Sequence, residues 1–257
     1  MKKKVVLLKA AKGKIEDDLY LKVLRSEGLL VTLIQVLSFK FFNLKELYEQ
    51  IAQPEKYGGI IFSSPRAVEA VNKSIENNSS LKEWQANLIP KWHSLPAYTV
   101  GQASGEFVKE LGLIPIGADS GNAENLVKTI KTGYAPSGRP LLFPCGNLRR
   151  ETIPQSLDDE GISFESVTVY ETTAHPEIDE SFRNLIKNEG VPDYIVFFSP
   201  SGVRFSCEAI SSLIPAMDEI QFIAIGPTTK EAMEKSGYTV TATAESPSPG
   251  SLLKILI

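Results

Sequence analysis

The feature of this chain that most constrains its fold is a regular alternation of short apolar runs with amphipathic helical patterns. In the first half, runs such as VVLLKA, GIIFS and AYTVG each precede a segment whose apolar residues recur at helical spacing. The second half repeats this rhythm with PLLFPC, YIVFFS and FIAIG. Strands that alternate with helices are typical of parallel sheets covered by helices. The sequence therefore predicts an α/β fold.

The two halves of the chain also resemble each other in detail. Ser64-Pro65 recurs as Ser199-Pro200, and VGQAS recurs as IGPTT. Two copies of a similar α/β unit explain this repetition. The periodicity predicts helices at about 17–27, 44–52, 65–77, 102–111, 122–132, 152–160, 179–188, 200–210, 227–236 and 250–256.

Two long apolar runs leave the domain boundaries open. The segments 30–42 and 163–173 both exceed an ordinary strand of about 5–6 residues, so each could cross from one domain into the other. If both cross, the first β-α-β unit joins the C-terminal half of the chain. Two contiguous domains that meet in the Pro- and Gly-rich segment 133–140 explain the pattern equally well.

The composition excludes several classes of protein. Hydrophobic residues make up 42% of the 257 residues, but no apolar run approaches the roughly 18 residues of a membrane span. The apolar run before Lys9 is too short for the core of an export signal. Two distant cysteines, Cys145 and Cys207, suit a reducing compartment rather than a disulfide framework. We therefore expect a cytoplasmic protein with no membrane partner.

The net charge and the number of possible metal ligands indicate whether nucleic acid or a metal ion is a partner. The net charge of −4 provides no broad basic surface, so the sequence does not predict a nucleic-acid partner. The only histidines are His93 and His175, and neither lies in a cluster of possible ligands. The sequence therefore predicts no metal site.

The junctions between strands and helices are rich in Ser, Thr, Gly and Asn. Ser64 and Ser199 are predicted helix N-caps, each followed by proline at the first helical position. Such residues are sufficient as helix starts and need have no other role. However, α/β sheets bind ligands at the carboxyl ends of their strands, where helix N–H groups face an anion. Five such junctions, FSSP, VGQAS, CGNLRR, FFSPSG and AIGPTT, together predict a cleft for a ligand with many carboxylates or phosphates.

A few single residues suggest chemistry, each beside a structural alternative. Cys145 follows a predicted strand, and a buried inert thiol is its simplest role. Thr228 stands three residues before Glu231, which is the spacing of a capping box. Tyr170 ends the run VTVY and is either a cross-strand aromatic or a phenol that donates a proton or hydrogen bond.

The motifs taken together resemble the uroporphyrinogen-III synthase family, in particular its vertebrate members. The resemblance covers nearly the whole chain in order, through QVLSFKF, YGGIIFSSPRAVEA, VGQAS, GNAENL, LLFPCGNLRRETIP, VTVYETTAHP, FFSPSG, AIGPTT and TAESPSP. It implies two similar parallel-sheet α/β domains joined by a two-stranded β linker. The domains expected from it are 1–36 with 173–257, and 40–168, with linker strands at about 36–40 and 168–173.

The resemblance also implies an activity. The family closes hydroxymethylbilane, a linear tetrapyrrole, into uroporphyrinogen III in haem biosynthesis, with inversion of the last pyrrole ring and loss of water. It uses no metal or organic cofactor, and we expect a cytoplasmic monomer whose partner is this small-molecule substrate. A non-catalytic two-lobed protein that binds an anionic metabolite is the alternative, because fold alone does not fix function.

The resemblance assigns roles to individual residues. Tyr170 matches the tyrosine proposed to assist departure of the substrate hydroxyl. Ser104 stands where vertebrate members often have threonine, so a hydroxyl is kept and a methyl group is lost. The polar residues expected to bind substrate are Ser104, Ser199 and Thr228, followed by Ser63, Ser64, Lys9, Arg149 and Thr229.

Overall fold

The computed structural model describes residues 2–10, 13–134, 138–214 and 217–257. The chain divides into two compact units. Unit 1 comprises Met1–Ser38 and Thr173–Ile257, and unit 2 comprises Phe39–Thr172. The segment 133–140 lies inside unit 2, and its residues 135–137 are outside the described ranges.

The strands alternate with helices, as the sequence predicts. In chain order the strands are β1 (Lys4–Lys9), β2 (Leu30–Gln35), β3 (Leu37–Phe41), β4 (Gly59–Phe62), β5 (Ala97–Thr99), β6 (Pro115–Ile116), β7 (Leu141–Gly146), β8 (Phe164–Ala174), β9 (Tyr194–Phe197), β10 (Gln221–Ala224) and β11 (Val240–Thr243). The α-helices are α1 (Leu19–Ser26), α2 (Leu44–Ile51), α3 (Pro65–Asn78), α4 (Leu81–Glu83), α5 (Ile89–Trp92), α6 (Gln102–Glu110), α7 (Ala123–Gly133), α8 (Thr152–Asp159), α9 (Ile178–Glu189), α10 (Pro200–Leu213), α11 (Pro227–Lys235) and α12 (Pro249–Leu256).

Unit 1 contains a sheet of order β11-β10-β9-β1-β2, in which every neighbouring pair is parallel. Its central strands are buried on both faces. Val6 and Leu8 pack into one apolar cluster, whereas Val5 and Leu7 pack into a second. Successive side chains of a strand point to opposite faces, so the continuous run VVLL supplies both clusters.

Unit 2 contains a sheet of order β3-β8-β7-β4-β5-β6. The pairs from β8 to β6 are parallel. Strand β3 lies at the edge and runs antiparallel to β8, since Phe42 N–H donates to Val169 C=O while His175 N–H donates to Val36 C=O. Here too both faces are covered, with Phe62 in one apolar cluster and Ile61 in another.

The two long apolar runs differ from each other. The segment 30–42 is not one extended strand, because it is divided at Val36 into β2 and β3. Strand β2 belongs to the unit 1 sheet and β3 to the unit 2 sheet. By contrast, the second run forms the single strand β8 of 11 residues. The chain thus passes between its units through β3 and β8, which are hydrogen-bonded neighbours.

One helical region was not predicted from the sequence. A π-helical turn, Trp84–Leu88, connects α4 to α5, and Pro90 lies inside α5. The indole of Trp84 donates to the Leu111 carbonyl over 3.1 Å, and that of Trp92 donates to the Ile51 carbonyl over 2.9 Å. Tertiary packing of two buried tryptophans therefore stabilises a segment whose local pattern is interrupted by proline.

The predicted helices agree with the structure to within about three residues, which is close to the usual ambiguity of helix ends. The predicted end of α10 at about 210 is too early, since this helix continues to Leu213. Across the described ranges, the helices are too short or too polar for any of them to traverse a bilayer.

Candidate functional site

A cavity of ≈ 360 Å³ lies in unit 2 where several strands end. Ser63 and Ser64 follow β4, Arg149 follows β7, and Tyr170 belongs to β8. These strands are neighbours in the sheet and run in the same direction, so their carboxyl ends bring the four side chains together. The cavity is lined by these four residues and by Asn122 and Arg150, among others.

The phenol of Tyr170 is held from several directions. A bulge shifts the register of β7 and β8, so that Cys145 pairs with Thr168 and Gly146 pairs with Tyr170. The rings of Phe39 and Phe41 each lie 6.2 Å from the Tyr170 ring, centroid to centroid. The hydroxyl forms a hydrogen bond of 2.9 Å with Ser64 Oγ. Tyr170 is therefore both an aromatic packing residue and a phenol with a fixed hydroxyl.

Burial raises the pKa of Tyr170 above its ordinary value of 10.0. The hydrogen bond with Ser64 and the charge of Arg66 act in the opposite direction, and Cys145 adds to the rise. Because the net direction is upward, the phenol is neutral at neutral pH and retains a proton that it can donate.

Ser64 joins the phenol to a helix N-terminus. As predicted, it is the N-cap of α3 with Pro65 at the first helical position, and its Oγ accepts from the Ala67 N–H over 3.3 Å. A hydroxyl that accepts from the backbone still has its own hydrogen to donate. If that hydrogen points to the Tyr170 oxygen, the phenol hydrogen is directed into the cavity.

Arg149 and Arg150 supply positive charge to the cavity lining. Arg149 Nη1 lies 3.5 Å from the Sγ of Cys145, and Arg149 Nε lies 3.4 Å from a Glu151 oxygen. Cys145 itself is fully buried, as expected for an inert thiol. Asn122 adds an N-cap on the same cavity, since its side chain accepts from the Asn125 N–H over 2.9 Å at the start of α7. A carboxylate in this cavity would meet two guanidinium groups and a helix N-terminus, together with one negative side chain, Glu124.

Unit 1 has a second row of polar groups at the carboxyl ends of its central strands. Lys9 ends β1, Ser199 follows β9, and Thr228 and Thr229 follow β10. Because β10, β9 and β1 are consecutive and parallel in this sheet, these residues lie along one edge of it. Four of the predicted substrate-binding residues thus belong to unit 1, and the others belong to unit 2.

The members of this row differ in how they are held. The Nζ of Lys9 lies 2.5 Å from an Asp18 oxygen and also packs over the rings of Tyr20 and Phe198. Ser199 is the N-cap of α10 as predicted, and accepts from the Gly202 N–H over 3.0 Å. Lys9 is thus already paired, and the Ser199 Oγ also lies 3.2 Å from the Ser201 Oγ, in a hydrogen bond that either hydroxyl can donate.

The two threonines of α11 occupy different environments. Thr228 is exposed, whereas only 2% of Thr229 is exposed. The capping box predicted from Thr228 and Glu231 is wrong, because Gly226 occupies the N-cap position and Thr228 is already inside the helix. The hydroxyl of Thr228 is therefore not used as the cap of α11.

Ser104 stands apart from the cavity. It lies near the start of α6, only 2% of it is exposed, and it is not among the residues that line the unit 2 cavity. Conversely, the cavity includes Gly146, Asn122 and Arg150, which the sequence analysis did not single out. Only their position within the junction CGNLRR and within the motif GNAENL could have indicated them.

Comparisons with known proteins cover nearly the whole chain. A family model described as uroporphyrinogen-III synthase HemD matches residues 18–254. The uroporphyrinogen-III synthase of Saccharomyces cerevisiae is 31% identical over 210 residues, which are 76% of this chain and 73% of the yeast protein. That of Schizosaccharomyces pombe is 27% identical over 244 residues, or 93% and 91% of the two chains.

Solved structures share the fold. A uroporphyrinogen-III synthetase from Helicobacter pylori superposes with a TM-score of 0.66 at 16% identity, covering 100% of this chain and 98% of its own. A mutant uroporphyrinogen III synthase from Thermus thermophilus gives 0.59 at 15% identity, covering 99% and 97%. The predicted fold of two α/β domains is thereby confirmed. The family match and the relative from Saccharomyces cerevisiae show that this chain belongs to the uroporphyrinogen-III synthase family.

Proposed function

We propose that Tyr170 and the two rows of carboxyl-end groups perform the reaction of this family in the present chain. The family cyclises hydroxymethylbilane in tetrapyrrole biosynthesis, and its members are cyclising lyases. Family membership does not favour the alternative of a non-catalytic binding protein. The observation that carries the proposal is the hydrogen bond between Tyr170 and Ser64 at the wall of the unit 2 cavity.

The neutral phenol of Tyr170 suits the first step of such a reaction. The hydroxyl of the substrate leaves its CH₂ group with the bonding electron pair and takes the phenol hydrogen, so that it departs as water. The lone pair of the pyrrole nitrogen forms a C=N bond as the ring double bonds shift and the exocyclic C=CH₂ bond forms, and the nitrogen then gives up its N–H proton while the phenolate regains one. Water and a neutral azafulvene are the products, and no protein nucleophile takes part.

The remaining polar residues bind the carboxylates of the substrate. In unit 2 these are Ser63, Ser64 and Arg149, and in unit 1 they are Ser199, Thr228 and Lys9. Ser104 and Thr229 belong to the same proposed set, but each is only 2% exposed, so their contact with the substrate requires the starts of α6 and α11 to open. Hydroxyls at helix N-termini accommodate anions together with backbone N–H groups, without a strongly basic surface. The net charge of −4 is compatible with such local recognition.

The position in which the binding groups hold the substrate also determines which isomer of the product forms. After the azafulvene forms, the last ring can close through either of two carbons. Binding groups that fix the position of this ring favour attack by its substituted carbon, which leads to ring inversion, over attack by the unsubstituted carbon. The protein acts mainly by orientation because the azafulvene is itself reactive.

The proposed setting is a monomer in the cytoplasm. Both cysteines are free thiols, which suits a reducing compartment. Sedimentation of the purified protein tests the monomer, and fractionation of the source cells tests the location. A stable dimer, or recovery in an exported fraction, would contradict this part of the proposal.

The variant Tyr170→Phe tests the role of the phenol. We expect kcat to fall by about 10- to 100-fold with little change in KM, which is at or below the lower end of the range for general acids, because the substrate is intrinsically reactive. Single-turnover measurements on hydroxymethylbilane separate this chemical step from binding. Tyr48→Phe is the matched control, since it removes a phenol from α2 of the same unit. An unchanged kcat in Tyr170→Phe would remove the phenol from the mechanism.

A further inference from the structure

The α-carbon of Gly146 lies directly against the phenol of Tyr170. A Cβ placed on Gly146 would lie 2.6 Å from Tyr170 Cε2 and 2.7 Å from its Oη, and would also collide with Cζ. Carbon atoms in contact are normally separated by about 3.5–4.0 Å, so a methyl group and this ring cannot occupy these positions together. The three nearest neighbours of that Cβ all belong to one side chain, Tyr170.

The need for glycine at this position is steric and does not come from its backbone conformation. Gly146 is not among the glycines with positive φ, so its main chain adopts angles that other residues tolerate. It is the last residue of β7 and follows the register shift that sets Gly146 opposite Tyr170. The bulge brings ring and glycine together, and the missing side chain makes room for the ring.

The ring has little freedom to move away from a larger residue. Phe39 and Phe41 pack on it, and Ser64 holds its hydroxyl at 2.9 Å. A displacement large enough to accept a methyl group at Gly146 would lengthen or break the bond to Ser64. The phenol oxygen would then leave its present position beside Ser64.

We infer that Gly146 is a positioning residue for the reaction, which acts by leaving space for the Tyr170 phenol at a fixed distance from Ser64. This inference rests on the catalytic role proposed above for Tyr170. It adds that the glycine of the CGNLRR junction determines where the proton donor stands, although glycine has no side chain that could take part in the chemistry.

The kinetic test is the variant Gly146→Ala, alone and combined with Tyr170→Phe. We expect Gly146→Ala to lower kcat by about the same factor as Tyr170→Phe, with a smaller effect on KM. In the Tyr170→Phe background, Gly146→Ala should cause no further loss of kcat, because the hydroxyl that it displaces is already gone. Gly250→Ala in the first turn of α12 is the control for an added methyl group, because a Cβ there meets nothing within 4 Å, and it should leave kcat unchanged.

A stability measurement covers the case in which Gly146→Ala folds poorly. We expect this variant to lower the urea midpoint of unfolding when residue 170 is tyrosine, and to lower it much less in the Tyr170→Ala background, where the colliding ring is absent. If alanine at position 146 were equally harmful with and without the ring, the steric part of the inference would be wrong.

The outcomes separate this inference from the proposed function. If Tyr170→Phe and Gly146→Ala both lower kcat and their effects do not add, the inference holds. If Tyr170→Phe lowers kcat whereas folded Gly146→Ala does not, Gly146 has no positioning role and the function proposed for Tyr170 stands. If the two losses of kcat multiply, Gly146 acts other than through Tyr170, and the inference is overturned. If Tyr170→Phe itself has no effect on kcat, the proposed function fails first and the inference fails with it.

Discussion

Ser64 makes two contacts, of which the sequence predicts only one. The Ser-Pro pair predicts a helix cap, and the structure confirms it. The same Oγ also forms a hydrogen bond with the hydroxyl of Tyr170, which is 106 positions away in the chain. Sequence pattern predicts the first contact because capping is local, but it does not predict the second, which depends on how β4 and β8 are placed in one sheet. Similarly, the motif VTVY does not indicate whether Tyr170 serves in packing or in chemistry. The structure shows ring contacts suited to packing and a hydrogen bond suited to chemistry.

The variant Ser64→Ala tests the link between cap and phenol. We expect it to lower the free energy of unfolding by about 1 kcal/mol through loss of the cap, and to lower kcat because the Tyr170 hydroxyl loses its partner. Ser248→Ala is the matched control, since Ser248 caps α12 by accepting from the Ser251 N–H and lies outside the proposed site. Ser248→Ala should lower the free energy of unfolding by a similar amount without changing kcat. Equal kcat values for the two variants would show that the Ser64 bond to Tyr170 is catalytically irrelevant.

At the scale of elements, helices that start at the carboxyl ends of parallel strands create the polar rows of both units. This much is predictable, because Ser-Pro junctions and alternating apolar runs are local signals. The bulge beside Gly146 and the π-helical turn at Trp84–Leu88 were not predicted. Both depend on partners distant in the chain, namely the neighbouring strand in one case and the Leu111 carbonyl in the other.

The start of α1 gives a prediction of its own. Asp18 caps this helix by accepting from the N–H groups of Tyr20 and Leu21, and its second oxygen pairs with Lys9. We expect Asp18→Ala to lower the free energy of unfolding by about 2 kcal/mol or more, because it removes the cap and leaves a largely buried ammonium group unpaired. Asp18→Asn keeps a capping oxygen and should cost less. Urea titration compares the two, and an equal loss would mean that the cap contributes nothing.

The aromatic cluster of unit 1 predicts a loss of stability in alkali. Tyr238 packs against Phe197 and Phe222, and burial, with a smaller contribution from Cys207, raises its pKa to about 12. Above about pH 10 the unfolded chain releases the Tyr238 proton while the folded chain retains it, so stability falls as the pH rises toward 12. The variant Tyr238→Phe should lose less stability than the wild type between about pH 8 and pH 11 in urea titrations. Identical losses would show that Tyr238 does not contribute to this dependence.

At the scale of the whole molecule, the sequence predicts the architecture better than the path of the chain. Periodicity predicts two α/β units, but it leaves contiguous and crossing arrangements equally acceptable. The resemblance to a family favours crossing, and in the structure the N-terminal segment through Ser38 belongs with Thr173–Ile257. A strand pattern shows where the chain is extended but not which sheet it joins, because the choice of partner is a long-range interaction.

The most direct test of the proposed function is the isomer composition of the product formed from hydroxymethylbilane. Uncatalysed closure gives uroporphyrinogen I, whereas closure directed by the bound groups gives uroporphyrinogen III. We expect that excess wild-type protein yields isomer III, and that Tyr170→Phe at the same concentration yields more isomer I because uncatalysed closure then competes. A wild-type product with the isomer ratio of buffer alone would contradict the proposed function.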